Sequence, residues 1–375
     1  MITLEGKYNT ATIHTDTVEE SAKTQIQAML DSPAFAEGNI AIMPDVHFGK
    51  GSVIGFTAPL GDKVIPNIVG VDLGCGITSF KLGPRNKVGA DFQKLDDFIR
   101  SRIPSGMNVR DNVFDIDRFL SGSELKDFEN GIKRVCKEQD QDLYRVMCSI
   151  GSLGGGNHFI EVNVDQSDNL WLTIHSGSRN FGLKIAQYHQ SKAVEKMGKM
   201  GGLEYLEGAE ADAYLKDMKL AQDYASLNRK VMGWQICRKH YKVKDPEVIE
   251  SVHNYINFED NIVRKGAISA HEGEKLIIPL NMRDGSIIAV GKGNAEWNNS
   301  APHGAGRLMS RGDAKRKLSL DQFQRSMKDV WSSCVHKSTL DEAPMAYKNA
   351  DDIVKYVSPT VDILEIIKPV YNFKA

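Results

Sequence analysis

Across residues 40–82 the chain never holds one character for more than a few positions. Short β-branched runs (Ile40-Ala-Ile-Met43, Ser52-Val-Ile-Gly55, Val64-Ile65, Ile68-Val-Gly-Val71) are each cut off by glycine, proline or aspartate. Runs this short cannot line one face of a helix, but they fit strands joined by tight loops. Elsewhere the period lengthens. Residues 92–103 read as a helix. Thr17-x-x-Glu20 and Ser121-x-x-Glu124 read as capping boxes, one opening a helix to about residue 30 and the other a helix continuing to about 146. Strand signals return at 159–162, 170–174, 276–279, 286–290 and 363–369. A mostly helical pattern covers 183–241, broken near Met200-Gly-Gly, and helices recur at 318–330 and 350–356. There is no internal repeat, low-complexity stretch or clear linker. The expectation is one compact mixed α/β (α+β) domain over 1–375, with central mixed β-sheets, surrounding helices and a helical insertion or subdomain at about 183–245.

Charge and cysteine usage exclude several classes of function. A net charge of −2 over 375 residues rules out a uniformly basic nucleic-acid binder, so a polyanion would have to use local patches. Residues 228–244 carry Arg229, Lys230, Arg238, Lys239, Lys242 and Lys244 without an acid. A second patch holds Arg307, Arg311, Lys315, Arg316 and Lys317, with Asp313 its only acid. Either patch alone reads as a solvated helix face. No apolar run approaches the roughly 18 residues a membrane span needs, and the N-terminus lacks a charged-then-apolar signal pattern. The cysteines (75, 136, 148, 237 and 334) are odd in number, widely spaced and without C-x-x-C, which points to a reducing, cytoplasmic setting.

The chemistry concentrates in glycine-rich loops. In Ser300-Ala-Pro-His303-Gly304-Ala305-Gly306-Arg307 one histidine stands among small residues. A phosphate could approach it closely, cradled by the N–H groups of Gly304, Ala305 and Gly306 and gripped by Arg307 as a fork. The alternative is a glycine-rich turn with a buried histidine. Five further motifs also set a reactive side chain in a glycine-rich loop or beside a strand. They are Met43-Pro-Asp45-Val-His47, Val69-Gly-Val-Asp72-Leu-Gly-Cys75-Gly76, Gly154-Gly-Gly-Asn157-His158-Phe-Ile-Glu161, His175-Ser-Gly-Ser-Arg179 and Val252-His253-Asn254-Tyr255. Asp72 and Cys75 are three apart across a glycine, so one tight turn can aim both at one point. With His158, His175 and His253 they are a plausible ligand set for one or two metal ions bridged by a thiolate, and the donor types suit Zn, Co, Fe or Mn. Scattered core histidines and a small buried cysteine are the competing explanation. It weakens for the whole set, because five of the ten histidines (47, 158, 175, 253 and 303) lie in these loops. The chain has no P-loop, no H-E-x-x-H and no K-x-D-G. A covalently held nucleotide would therefore sit on histidine rather than on a lysine in that context.

Asp72-Leu-Gly-Cys75-Gly, Gly156-Asn157-His158-Phe-Ile-Glu161, His175-Ser-Gly-Ser-Arg179 and His303-Gly-Ala-Gly-Arg307 together closely resemble the RtcB family of GTP-dependent RNA ligases, in order and over essentially the whole chain. The resemblance implies a compact mixed α/β fold in which His303 attacks the α-phosphorus of GTP and carries GMP to an RNA 3′-phosphate. A 5′-hydroxyl then displaces GMP, and 2′,3′-cyclic phosphate ends are first opened. It implies two Mn²⁺ ions bridged by Cys75, with His158 and His175 completing one site and Asp72 and His253 the other. Asn157 would contact phosphate. Glu161, Asn281, Ser286, Tyr347 and Lys374 would form the guanine pocket, and Asp45 would assist near the ligation centre. Arg179, Arg307 and Arg311 would meet RNA, and an archease-like activator is a possible partner. Two motifs depart from the family pattern. Pro279-Leu-Asn281-Met-Arg-Asp-Gly285 replaces a Gly-Ser-Met-Gly type loop, and Val263-Arg-Lys-Gly-Ala267 lacks a leading histidine. The RNA served could therefore differ from tRNA exon halves. A dinuclear phosphodiesterase or phosphatase without a covalent guanylate is the rival from another class. A silent RNA-binding relative would have been free to lose the ligand set.

Overall fold

The computed structural model describes residues 1–374. Two large sheets dominate it. The first runs in the order Ile2–Glu5, Thr10–Ile13, Ile40–His47, Ile54–Pro59, Ile262–Lys265, Asn254–Asn257. Its pairs are antiparallel except Thr10–Ile13 with Ile40–His47. The second runs Lys275–Asn281, Gly285–Gly291, Val361–Lys374, Phe159–Val164, Asn169–Ser176, Gly76–Pro84, Val248–Val252, all antiparallel. Its two outer strands meet where Ile277 N–H donates to Ser251 Oγ at 2.9 Å, so the sheet curls into a near-barrel. Ile77, Phe159, Trp171, Ile249, Ile277, Ile288 and Ile367 fill the interior. Central strands covered on both faces lose the alternation of a half-buried strand. Asn169–Ser176 is accordingly buried at every position but its first.

The sheets are joined through a single residue. Val248–Val252 ends the second sheet, Asn254–Asn257 begins at the edge of the first, and His253 lies between them. The register then explains why distant loops converge. Gly76 pairs with both Ser176 and Val252, and Phe159 pairs with His175. In antiparallel neighbours the start of one strand lies beside the end of the next. Cys75, His158, His175 and His253 thus come to one end of the second sheet. A small ladder, Ala267–Ser269 with Ser300–Pro302, delivers His303 to the same place.

Most expected elements are present, with corrections. The helix near the N-terminus is Glu20–Leu30 with Glu19 at its N-cap, so Thr17 does not cap it. Ser121 and Glu124 do form a capping box, but that helix stops at Glu138, and Asp142 caps a separate helix Leu143–Cys148. The predicted helix over 318–330 contracts to Leu320–Ser326. The Val64-Ile65 and Ile68–Val71 runs form no strands: Val64 makes an isolated bridge to Leu206, the rest is turn and loop, and Val64, Ile65, Ile68 and Val69 are core residues. The first two strands carried no distinct sequence signal. The helical region consists of Arg179–Met197, Ala209–Trp234 and a π-helical continuation Gln235–His240. Tyr214, Met218 and Tyr224 of the long helix share one core with Ile13, Ile42 and Phe56 of the first sheet. The helix is therefore packed into the main body of the fold. No helix among the described residues is long and apolar enough to cross a membrane.

Candidate metal and nucleotide site

The floor of the site is a buried arginine. Arg229 is 0% exposed and projects from the long helix. It donates to Gly74 O at 2.9 Å, Ser176 O at 2.8 Å, Thr78 Oγ1 at 3.0 Å and Glu250 Oε1 at 2.9 Å. One side chain thereby pins the Asp72–Cys75 loop to the His175 strand end. Asn228 beside it accepts from Gly151 N–H and Ser152 N–H and donates to Gly177 O. The basic run at 228–244 is thus not one solvated face, since its first arginine is structural. Gly74 lies flat on this helix. Its φ is +71°, and a Cβ there would stand 2.8 Å from the Gln222 backbone, so the turn requires glycine.

On that floor five donor atoms converge. Asp72 and Cys75 are tied by Cys75 N–H to Asp72 O at 3.2 Å. Cys75 Sγ lies 3.5 Å from His158 Nε2 and 3.3 Å from His175 Nε2. His158 Nε2 is 3.0 Å from Asp72 Oδ2, and the Nε2 atoms of His175 and His253 are 3.3 Å apart. The donors form two groups, Asp72/Cys75/His158 and Cys75/His175/His253, each within 4.8 Å. Cys75 is shared, as expected, but the grouping differs from the one the resemblance implies. His158 stands with Asp72, and His175 stands with His253. The cause is the topology. Asp72 reaches His158 across Gly177, whereas His253 enters from the seam between sheets and faces His175.

This donor set fits cations. His158 Nδ1 lies 2.9 Å from Leu153 O, and His175 Nδ1 lies 3.2 Å from Asn157 O. A carbonyl can only accept, so each Nδ1 carries the proton and each Nε2 presents a lone pair to the cluster. Two buried lone-pair groups cannot satisfy one another, whereas a cation between them would satisfy both. Burial holds His175 and His253 well below the usual imidazole range, keeping them neutral. Burial also pushes the Cys75 thiol well up, reinforced by the Asp72 carboxylate. A thiolate there would need an adjoining metal charge to offset both effects. Burial opposes ionisation of Asp72 too, but without a metal a proton on His158 Nε2, with Cys75 and the Arg179 charge, would outweigh it and hold the carboxyl below its usual range; a cation between the two groups would take the place of that proton.

His303 adjoins the cluster, its ring centre 5.1 Å from that of His253. Its Nδ1 stands 2.9 Å from Asp45 Oδ2, without the alignment of a hydrogen bond. The Asp45 side chain is buried, while that of His303 is 24% exposed and faces a cavity of about 350 Å³. Gly304, Ala305 and Gly306 line that cavity, and their N–H groups have no backbone partner among the described residues. Asn157, Glu161, Asn281, Tyr347 and Lys374 also line it, whereas Ser286 lies behind the wall, fully buried. Asn281 spends its amide on its own turn, donating to Asp284 Oδ2 at 2.8 Å and accepting from Arg283 and Asp284 N–H. Burial raises the Glu161 carboxyl to about 7, against a 2.7 Å hydrogen bond from Asn372.

One residue that the sequence did not single out organises the far wall. Glu342 Oε2 accepts from Lys374 Nζ at 2.7 Å and Tyr347 Oη at 2.8 Å, and its Oε1 is 3.3 Å from Arg307 Nη1. Arg307 also donates to Asp341 O and Met309 O, so its guanidinium braces the wall instead of opening as a phosphate fork. The only available signal was an acid immediately before the Ala343-Pro344 motif. Arg179 likewise turns inward, donating to Ser152 Oγ and Gly106 O. Arg311 is half exposed at the rim, beside Gly156.

The sequence model of the family described as tRNA-splicing ligase RtcB matches residues 25–375. The chain belongs to the RtcB family. RNA-splicing ligase RtcB of Escherichia coli (strain K12) is 33% identical, with 95% of each chain covered. tRNA-splicing ligase RtcB of Archaeoglobus fulgidus is 27% identical, over 91% of this chain and 88% of the relative. RNA-splicing ligase RtcB2 of Escherichia coli (strain ATCC 25922) is 27% identical, over 88% and 86%. The RtcB match spans every loop of the site, from Asp45 to Lys374.

Proposed function

We propose that the protein is an RNA ligase that joins an RNA 3′-phosphate, or a 2′,3′-cyclic phosphate first opened to it, to a 5′-hydroxyl, in RNA repair or tRNA splicing, with GTP as the activating substrate. The observation that carries this reading is the two-group donor cluster sharing Cys75, with His303 one ring away. Two divalent cations held there, Mn²⁺ by family likeness, would neutralise phosphate charge and align the reacting groups.

With Nδ1 turned to Asp45, His303 presents Nε2 to the cavity. Nε2 attacks the α-phosphorus of GTP; a P–N bond forms and the bond to pyrophosphate breaks. Asp45, 2.9 Å from Nδ1, would offset the positive ring that results by its charge. An oxygen of the RNA 3′-phosphate then attacks the guanylate phosphorus, the P–N bond breaks and His303 is restored. Finally the 5′-hydroxyl attacks the activated 3′-phosphorus. Its proton passes to Asp45 and GMP leaves, completing the 3′,5′-phosphodiester. The N–H groups of Gly304, Ala305 and Gly306, which have no backbone partner among the described residues and line the cavity, would be available to phosphate oxygens. The Glu161 carboxylate suits the N1 and N2 hydrogens of guanine, and Lys374 suits O6. Five buried free thiols fit a reducing cytoplasm.

The test is covalent labelling. Protein with Mn²⁺ and α-labelled GTP, then denatured, should carry acid-labile, alkali-stable label that His303→Ala lacks. Absence of label from the wild type rejects the ligase in favour of a metal-dependent phosphodiesterase. Adding an archease-like activator to the same assay tests dependence on it.

A further inference from the structure

A second surface lies outside the cavity. Met107 is 86% exposed and Tyr144 58%, and Val113 and Leu143 are exposed beside them. Two segments bring them together, the loop at 104–115 and the start of the helix Leu143–Cys148. Tyr144 Oη donates to Asp111 O at 2.9 Å, Arg145 Nη2 to Met107 O at 3.0 Å and Arg110 N–H to Cys148 O at 3.0 Å. The aromatic ring is thus held in place while its face stays open. Arg145 is exposed beside it. Arg102, exposed and in no ion pair among the described residues, lines an adjoining groove of about 630 Å³. Arg110 lies over the Phe114 ring in the same groove, with its Nε buried and unpartnered. Asp115 is paired with Arg118, leaving Asp111 and the helix-capping Asp142 as the exposed acids of the two segments, against Arg102, Arg110 and Arg145.

The surface is continuous with the metal site. Gly106 N–H donates to Gly154 O at 2.9 Å, and Arg179 Nη2 donates back to Gly106 O at 2.7 Å. Gly154 opens the Gly-Gly-Gly run that leads directly into Asn157 and His158, with the Arg311 guanidinium at Gly156. Gly106, Gly155 and Gly156 therefore form a saddle without side chains between the exposed ring and the cluster. Fixed aromatic faces flanked by arginines bind single-stranded nucleic acid, because bases stack while cations meet the backbone. A bare glycine backbone lets the phosphates pass closely.

We propose that this face carries an RNA strand, stacking a base on Tyr144 and leading the strand across the glycine saddle to the metal site. The assignment rests on the RNA-ligase reading. Arg102 and Arg145 meet phosphates at a distance from the reacting end, so the surface favours longer strands over short ones.

The test uses the full-length protein with Mn²⁺ and GTP and single-stranded RNAs ending in 3′-phosphate. Tyr144→Ala should raise the Kd for a strand of about 20 nucleotides roughly ten-fold and leave one of about four nucleotides unchanged. Arg102→Ala with Arg145→Ala should lower the slope of log K against log salt by about one to two. Guanylylation of His303 should match wild type in every variant, reporting an intact fold and cavity. If the wild type ligates and both variants bind long RNA with unaltered Kd and slope, the proposal is overturned. If the wild type binds RNA through Tyr144 but joins nothing, the ligase reading fails while the surface stands.

Discussion

Gly177→Ala should damage the metal site without removing a ligand. A Cβ at Gly177 would lie 2.1 Å from Asp72 Oδ1 and 2.5 Å from its Cγ. Carbon contacts relax only beyond about 3.5 Å, so the carboxylate must move by about 1 Å or more. It has somewhere to go, because the Asp72 side chain is 32% exposed. Swinging outward would break its 3.0 Å contact with His158 Nε2 and pull one donor from the Asp72/Cys75/His158 group. Displacing the orientation of a metal ligand typically costs 10–100-fold in affinity, or about 1.4–2.7 kcal/mol. Backbone strain is not expected, since Gly177 does not have a positive φ. Its unfolded chain also becomes slightly less flexible, so metal-free stability should stay within about 1 kcal/mol of wild type. Calorimetric titration of Mn²⁺ into metal-free protein would measure the loss. Gly155→Ala is the control, because a Cβ there meets nothing closer than 3.7 Å. Wild-type affinity in Gly177→Ala, with Asp72 unmoved in its structure, would refute the claim that this glycine exists to admit the carboxylate.

Two further outcomes follow from buried charges. Glu161 titrates at about 7 because burial disfavours its carboxylate. On the proposed function guanine donors at Glu161 favour the charged form, so GTP binding should release a fraction of a proton near neutrality and weaken as pH falls below about 7. In the free protein the raised value stabilises the fold at low pH, and that contribution is lost as pH rises through about 7. Glu161→Gln should therefore gain stability relative to wild type over that window, and equal heats of GTP binding in buffers of different ionisation enthalpy would contradict the linkage. Arg229→Met should unfold far more readily, by about 3–5 kcal/mol, because it strands Glu250 and two loop carbonyls. A urea midpoint equivalent to less than about 1 kcal/mol of loss would show that Arg229 does not clamp the loops.

Much of the site was legible because its chemistry is local. A histidine among glycines, an aspartate and a cysteine on one turn, and an asparagine–histidine pair at a strand start each carry a recognisable signal within a few residues. Arg229 carries no such signal. It sits among Lys230, Arg238 and Lys239 and looks like part of a solvated face, yet its guanidinium lies under the cluster. Glu342 is hidden for the same reason. Its partners Arg307, Tyr347 and Lys374 are 35, 5 and 32 residues away, and only folding gathers them around one carboxylate.

Most element types and the candidate donors could be read from the chain alone, because helix and strand periods, turn chemistry and donor identity are properties of short segments, and the family could be read from the motifs standing together in order. Which donors stand together could not. His158 joins Asp72, and His175 joins His253, because strand register and the His253 joint between sheets set those distances. The packed fold likewise turns Arg307 and Arg179 into braces for the walls and leaves Tyr144 open beyond a glycine saddle. Those outcomes depend on which groups burial leaves without water, and no short stretch of sequence contains that information.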